Sequence, residues 1–263
     1  MNSSGSLLVT GCLDGKVGFW NPRSGTKLRE LLNGPDSVYS VAFSLKGNLV
    51  AAGLADGKVK LWQARSGQQM MIVETGGPVR CVGITHDEKM MATAGFRGGV
   101  ILWDLPAGVQ RGYLDGLFGG ATAIAFNFGG SLLAIGSDDG TVELYDPTTC
   151  KRMATLCGHA NSVMALAFSP HGDKALYSGS VDGSVRVWRV GASENHELCA
   201  LYSFADGSWV VLTPEGRYDS SSDGANLHIR GRIGQRFIPL SDLRKDHYES
   251  GLLRKVLKTD QEK

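Results

Sequence analysis

The sequence of 263 residues lacks long apolar runs and has little proline, and each shortage excludes a class of protein. A membrane-spanning helix needs about 20 consecutive apolar residues, and no such run occurs. The 8 prolines are too few for a fibrous or proline-rich chain. The first residues, MNSSGSLLVTG, have neither the basic flank nor the apolar core of a signal peptide. We therefore expect a globular, cytoplasmic protein without membrane contact.

The residues that carry chemistry are also sparse. The five cysteines form no CxxC pair, so neither a zinc site nor a complete disulfide framework is predicted. The six histidines lack metal-ligand spacing, and there is no GxSxG elbow or phosphate-binding loop with lysine. A net charge of +1 leaves no basic footprint for nucleic acid. We expect no enzyme activity, cofactor, metal or nucleic-acid partner.

What the sequence does contain is a repeat. The segments DGKVGFW, DGKVKLW, RGGVILW, DGTVELY and DGSVRVW place their closing aromatic residues at positions 20, 62, 103, 145 and 188. Between these positions apolar residues alternate and turn pairs such as Asp-Gly separate them, which predicts about four short strands per repeat. A lone four-stranded sheet cannot cover both of its faces, so the sheets are expected to stack radially as a propeller.

The fifth copy is the most specific. It reads CGHANSVMALAFSPHGDKALYSGSVDGSVRVW, and with it the chain resembles the WD-repeat β-propeller family over residues 5–203. The resemblance implies a structural relay of hydrogen bonds through His159, Ser178, Asp182 and Trp188. At the serine position the other copies have Thr10, Ala52, Thr93 and Ile135, and none has a Gly-His pair. We expect the full relay in the fifth blade alone, and mainly apolar packing elsewhere.

The predicted fold is an all-β WD-repeat propeller of about five blades with a short β-plus-helix C-terminal cap. The predicted units are 1–33, 34–75, 76–115, 116–157 and 158–203, and residues 204–263 form the terminating segment. The first unit lacks its opening strand. Two alternatives stay open: a small closed ring in which later strands complete the first blade, or the C-terminal part of a longer, incomplete ring.

The stretch FADGSWVVLTPEGRYDSS begins like a sixth copy but is too short for a full blade. It predicts a strand, a Pro-Glu-Gly turn and a short return strand. SGLLRKVLK at 250–258 has helical spacing, with Ser250 able to cap the helix. Residues 199–258 resemble a module that follows the repeats in bacterial WD-repeat proteins, some of which carry a caspase-like peptidase domain in the same polypeptide.

The family resemblance implies binding of proteins or peptides on the face that carries the start of each first strand and the Asp-Gly turns. The contact positions carried over are Tyr39, Arg80, Thr122 and Met164 on the first strands, and Leu13, Ala55, Phe96, Asp138 and Val181 before the turn pairs. Phe96 beside Arg97 is the least conventional turn and the strongest single candidate.

The candidate partner-binding rim thus comprises Tyr39, Arg80, Phe96, Arg97, Thr122, Met164 and Val181. The leading functional hypothesis is a non-catalytic scaffold that holds a protein or peptide. The alternative is a sensor or regulatory part of a larger bacterial polypeptide whose effector, such as a caspase-like peptidase, lies outside this chain.

Overall fold

The structure, a computed structural model, describes residues 1–2, 4–32, 34–96, 99–115, 119–169, 174–191, 195–221, 230–233, 236–239 and 244–259. Within these residues the chain forms five antiparallel sheets, a separate hairpin and two short helices. Each of the five sheets corresponds to one sequence repeat. The all-β fold predicted from the repeat is confirmed.

The strands follow chain order within each sheet. The first sheet has β1 (Leu8–Gly11), β2 (Lys16–Trp20) and β3 (Lys27–Leu32). The second has β4 (Val38–Phe43), β5 (Leu49–Leu54), β6 (Lys58–Gln63) and β7 (Gln69–Glu74). The third has β8 (Val79–Ile84), β9 (Met90–Gly95), β10 (Val100–Asp104) and β11 (Val109–Leu114). The fourth has β12 (Ala121–Phe126), β13 (Leu133–Ser137), β14 (Val142–Asp146) and β15 (Lys151–Leu156).

The fifth sheet has six strands and continues past residue 203. They are β16 (Val163–Phe168), β17 (Ala175–Ser180), β18 (Ser184–Arg189), β19 (His196–Ser203), β20 (Trp209–Leu212) and β21 (Tyr218–Ser220). The remaining elements are the hairpin β22 (Arg230–Ile233) and β23 (Arg236–Pro239), and the helices α1 (Arg244–His247) and α2 (Leu252–Thr259). No helix in the described part is long and apolar enough to cross a bilayer.

Successive sheets pack face to face, with their first strands β4, β8, β12 and β16 side by side. Alternate residues of one sheet meet the next: Leu61 on β6 and Val79 on β8 belong to one buried cluster. At three of the four junctions between blades, a glycine on the second strand makes room for this packing. A Cβ on Gly53 would lie 2.5 Å from a methyl of Val79, and a Cβ on Gly136 would lie 2.9 Å from a methyl of Val163. Such close approach explains why the repeat keeps glycine there.

The first sheet has three strands, as expected from the missing opening strand. Among the described residues no later strand pairs with β1, and β22 and β23 pair only with each other. Completion of the first blade by later strands, one of the two sequence-based alternatives, is therefore not seen in the described part of the chain.

The C-terminal segment covers the fifth sheet. Strands β20 and β21 extend its outer edge, and α2 places the fully buried Leu252 against Val187, Cys199 and Val211. The predicted cap of this helix was wrong: the Asp219 carboxylate on β21 accepts hydrogen bonds from the backbone amides of residue 251 at 2.7 Å and residue 252 at 3.3 Å. A carboxylate on a strand of the sheet therefore caps this helix, where the sequence had suggested the serine at position 250.

Candidate functional site: the rim of the second, third and fourth blades

The hydrogen bonds of the fifth blade link its loop to its core. The side chain of His159 is fully buried. Its Nε2 lies 2.7 Å from the Ser178 hydroxyl, and its Nδ1 lies 3.0 Å from the Asp182 carboxylate. Trp188 Nε1 donates to the same Ser178 oxygen at 2.7 Å. The four residues named from the family resemblance thus form one continuous chain of hydrogen bonds.

The proton positions follow from this geometry. A carboxylate only accepts, so His159 Nδ1 carries the proton that faces Asp182. In the neutral ring Nε2 is then an acceptor, and the Ser178 hydroxyl donates to it while accepting from the indole of Trp188. Burial alone would raise the pKa of the Asp182 carboxyl, but hydrogen bonds from the Ser184 hydroxyl and the backbone amides of residues 160 and 184 hold that pKa below its ordinary value.

The first and third blades contain one hydrogen bond of this arrangement, the one from the tryptophan indole to a hydroxyl. Trp20 Nε1 donates to the Thr10 hydroxyl at 2.9 Å, and Trp103 Nε1 donates to the Thr93 hydroxyl at 2.8 Å. Apolar clusters lie between the other blades, and in these two blades a hydrogen bond from the tryptophan is added to that packing. Threonine supplies the same oxygen as serine, so the indole nitrogen is satisfied even where histidine is missing.

The fourth blade uses a different polar cluster. Glu143, whose side chain is 1% exposed, accepts a 2.6 Å hydrogen bond from the Tyr145 hydroxyl and pairs with Arg152 at 3.2 Å. Burial, followed by the hydrogen bond to Glu143, raises the pKa of the Tyr145 hydroxyl above its usual range. A buried carboxylate without such partners would be costly, so the three residues stabilise one another.

The rim positions named from the sequence share a structural feature. In the sheets numbered two to five, the pairing of the first two strands skips one residue of the first strand, and that residue lies at a β-bulge. The four bulge residues are Tyr39, Arg80, Thr122 and Met164. A bulge changes the direction in which its side chain leaves the strand. The repeat therefore places one bulge residue at the start of each of these four first strands.

Three of these sheets contribute to one cluster. The rings of Tyr39 and Phe96 meet edge to face with centroids 5.8 Å apart. The guanidinium of Arg80 lies 5.1 Å from the centre of the Phe96 ring and 2.6 Å from the Asp138 carboxylate. Tyr39 is 45% exposed and Phe96 is 51% exposed. We call Tyr39, Arg80, Phe96 and Asp138 the rim cluster.

The other predicted rim residues lie elsewhere. Thr122 is buried, and its hydroxyl donates to the backbone oxygen of residue 163, so it stabilises the junction between the fourth and fifth blades and presents no side chain to a partner. Met164 and Val181 are exposed on the fifth blade. Arg97 lies outside the described residues. Leu13 is exposed on the first blade, and Ala55 is half-buried beside the turn of the second.

Asp138 has a larger role than the sequence indicated. The sequence pattern identifies Asp138 only as a position before a turn pair, and the neighbouring Asp139 accepts from the Thr141 amide at 2.9 Å within that turn. Asp138 instead reaches across the blade junction to Arg80. No local pattern signals this pair, because 58 residues separate its partners and only the stacking of blades brings them together.

A cleft opens beside the rim cluster, in the third blade. It has a volume of about 500 Å³. The loop Thr75–Pro78 forms one side, Thr93 lies on the second strand, and the walls carry Phe96, Ile101 and Tyr113. Tyr113 is 54% exposed and was not named from the sequence. It lies on an outer strand, where the repeat alone gives no reason to expect a contact residue.

Two cysteines, Cys81 on β8 and Cys199 on β19, are buried in the sheets. Burial raises the pKa of Cys81 and of Cys199 to about 12, so both thiols stay protonated at neutral pH and are poor nucleophiles. No group of three or more histidine, cysteine or acidic side chains with metal-binding geometry occurs in the described part.

The comparisons with known proteins agree with this architecture. The WD40 family (WD domain, G-beta repeat) matches residues 25–63, 112–146 and 150–189. The chain carries WD40 repeats. The β-propeller domain of Cps50 (Swd1) from Myceliophteria thermophila superposes with a TM-score of 0.67 at 18% identity, covering 81% of this chain and 78% of that domain. The fold is therefore that of a WD-repeat β-propeller.

Curated relatives match shorter parts of the chain. WD repeat and HMG-box DNA-binding protein 1 from Homo sapiens is 36% identical over 41% of this chain and 8% of its own length. The U3 small nucleolar RNA-associated protein 21 homolog from Schizosaccharomyces pombe is 29% identical over 64% of this chain and 19% of its own length. Ribosome biogenesis protein ytm1 from Aspergillus fumigatus is 37% identical over 36% of this chain and 20% of its own length. The chain thus spans less than a third of these relatives.

These relatives bear on several expectations from the sequence. They are eukaryotic proteins, so they give no support to a bacterial origin or to the caspase-associated C-terminal module. The names of two of these relatives mention DNA binding or association with an RNA, so the expected absence of a nucleic-acid partner also lacks support. They also give no support to the expected cytoplasmic location.

Proposed function

We propose that this chain is a non-catalytic scaffold that binds a protein or peptide through the rim of its second, third and fourth blades. The observation that carries the proposal is the rim cluster. An exposed tyrosine, an exposed phenylalanine and an arginine contact one another across blade junctions. Aromatic and arginine side chains dominate the binding energy of protein interfaces.

The electrostatics of the rim cluster also favour binding. The Arg80 side chain is only 21% exposed and is fixed between the Phe96 ring and the Asp138 carboxylate. Fixing it before binding lowers the entropy that association has to offset. Asp138 is 42% exposed and can still accept hydrogen bonds from a partner. The rim cluster therefore offers two aromatic surfaces and one carboxylate, which suits a partner segment with an apolar anchor next to a donor group.

Met164 and Val181 extend the proposed surface to the fifth blade, where both are more than half exposed. Arg97 follows Phe96 in sequence and remains part of the proposal on that ground alone. The alternative hypothesis, a sensor portion attached to a caspase-like effector, rests on the resemblance of residues 199–258. No contact in the described part of the chain favours it over a simple scaffold, and inspection of the surrounding reading frame would decide it.

The experiment compares rim variants with matched surface variants. The immobilised chain captures proteins from a lysate of the source cells, and the captured proteins are quantified by mass spectrometry for wild type, Phe96→Ala and Arg80→Glu. The controls are Leu28→Ala, which removes a side chain 57% exposed on an outer strand, and Arg111→Glu, which breaks a surface ion pair with Asp104. We expect both rim variants to lose the same protein by tenfold or more.

All four variants are expected to melt cooperatively, because none of them changes a side chain of the buried core. If Phe96→Ala and Arg80→Glu retain every protein that wild type captures, the rim cluster is not the binding site. If the control variants lose the same protein, the contact lies on another surface.

A further inference from the structure

The C-terminal segment covers only part of the fifth blade's free face, the face turned away from the fourth blade. In every blade the strand after the turn pair has an equivalent valine near its start, and these are Val17, Val59, Val100, Val142 and Val185. The first four are at most 1% exposed, whereas Val185 is 43% exposed. Helix α2 covers Val187 on the same strand and leaves Val185 open.

The junctions between the other blades show what packs on this valine. The valine pairs in register with a small residue on the strand before it, which is Gly11, Gly53, Ala94 or Gly136. The first residue of the next blade's first strand lies in the same buried cluster as the valine, and it is Val38, Val79, Ala121 or Val163. A Cβ on any of the three glycines would lie 2.5–2.9 Å from a methyl of the facing valine.

The small residue and the residue that faces it are matched in size. Where the small residue is glycine, the next blade supplies a valine. Where it is Ala94, the next blade supplies the smaller Ala121, and both belong to one buried cluster. Protein interiors are close-packed, so an extra methyl group on one side has to be offset by a smaller side chain on the other. A glycine at this position therefore predicts a valine as its neighbour.

The fifth blade keeps the glycine of this arrangement. Gly179 pairs with Val185. Among the described residues, a Cβ on Gly179 would meet only Ala165 of the same sheet, at 3.8 Å. An apolar groove of about 590 Å³ opens beside Val185 and includes Leu201 and Trp209, which is 41% exposed. This face thus has the same surface that receives a first strand at the other junctions.

A second copy of the chain does not supply the strand that fits. Its first blade has three described strands, and β1 is equivalent to the second strand of the other sheets. The residue that would lie on Gly179 belongs to the strand that this blade lacks. We propose that the open face of the fifth blade binds an extended β-strand of a different protein, with a valine of that strand packed on Gly179 and Val185.

This strand site does not depend on the proposed scaffold function. The rim cluster lies on the second, third and fourth blades and is tested at Arg80, whereas the strand site lies on the fifth blade and is tested at Gly179. The interface is of the same kind as the four junctions within the chain, with the partner strand in the place of the next blade.

The test uses a peptide that copies residues 161–169, NSVMALAFS, because its valine is the one that packs at Gly136. The peptide is titrated into the full chain with ¹³C-labelled valine methyl groups, and the Val185 signals are assigned from Val185→Ile. We expect a saturable shift of these signals with a dissociation constant on the order of millimolar, as for a single short strand. The signals of Val142, the equivalent and fully buried valine of the fourth blade, should not move.

A swap of side-chain size tests the contact itself. A peptide with Val163→Ala should bind wild type about tenfold more weakly, because two methyl groups are no longer buried. Gly179→Ala places a methyl group where the valine packs, so this variant should bind the original peptide at least tenfold more weakly than wild type does. It should bind the Val163→Ala peptide as well as wild type does, and it should melt as wild type does, because 3.8 Å is an ordinary contact distance.

Three results would overturn the proposal. They are the absence of a saturable Val185 shift, equal binding of the two peptides to wild type, and an unchanged preference for valine in Gly179→Ala. A Val185 shift that depends on the concentration of the chain alone would assign the face to a second copy and would also overturn it. If Arg80→Glu retains every captured protein while the Val185 shift saturates, the rim proposal fails and the strand site stands.

Discussion

The fifth and third blades share the four strands of the repeat, and in each a tryptophan donates to a serine or threonine hydroxyl, yet the two blades differ in how their loops are held. In the fifth, one buried ring joins the loop to the sheet through two hydrogen bonds. In the third, Thr75 holds the corresponding loop, because its backbone amide and its hydroxyl both donate to backbone oxygens. The difference shows that the repeat tolerates loss of the relay.

The largest expected effect is a difference in stability between a variant of the fifth blade and the matched variant of the third. His159→Ala removes a fully buried side chain, and the Ser178 hydroxyl and the Asp182 carboxylate each lose one hydrogen-bond partner. We expect it to lower the free energy of unfolding by about 2–4 kcal/mol. Thr75→Ala, the matched change in the third blade, should cost about 1 kcal/mol or less. Urea denaturation of both variants measures the difference, and equal losses would contradict the comparison.

The relay should also give the fifth blade a pH dependence. Hydrogen bonds hold the pKa of the Asp182 carboxyl below its value of 3.8 in an unfolded chain, in spite of burial. A group with a lowered pKa stabilises the fold above its unfolded pKa, and this stabilisation is lost as the pH falls through the folded pKa. The advantage of wild type over Asp182→Asn in urea should therefore be full at pH 6 and shrink below pH 4. An advantage that stays constant from pH 6 to pH 3 would contradict this account.

The C-terminal segment that covers the fifth blade is expected to contribute less to the free energy of unfolding than the hydrogen-bonded relay does. Asp219→Ala removes the carboxylate that accepts from the first amides of α2, and the loss of a helix cap costs about 1 kcal/mol. Ser250→Ala, the neighbouring change that the sequence pattern would favour, should leave the melting temperature unchanged. Differential scanning calorimetry distinguishes them, and the opposite order of effects would restore the local serine as the cap.

The features that were predictable from the sequence are those that repeat. Alternating apolar residues and Asp-Gly turns predicted the sheets, and the fifth copy predicted which side chains surround His159. The features that were not predictable depend on residues far apart in the chain. Asp219 caps a helix that begins 33 residues later, and Arg80 finds Asp138 only because neighbouring blades stack. Buried Glu143 is likewise explained by its partners and by no periodic pattern.

The same limit applies to the rim. The first-strand positions were predicted, but whether each one is exposed depends on the junction with the next blade. Tyr39 reaches solvent, whereas Thr122 turns to a backbone oxygen of the following blade and is buried. A family contact position therefore names where a side chain leaves the strand, and the neighbouring blade decides whether a partner can reach it.

The measurement that tests the central claim most directly is photo-crosslinking from the rim cluster. Benzoylphenylalanine replaces Tyr39 in one preparation and Leu28, an exposed residue on the outer strand of the first blade, in another. If the rim binds a partner, the probe at position 39 forms a discrete covalent product with a partner in source-cell lysate, and Arg80→Glu in the same chain removes that product. Equal products from both positions, or a product at position 39 that survives Arg80→Glu, would contradict the account.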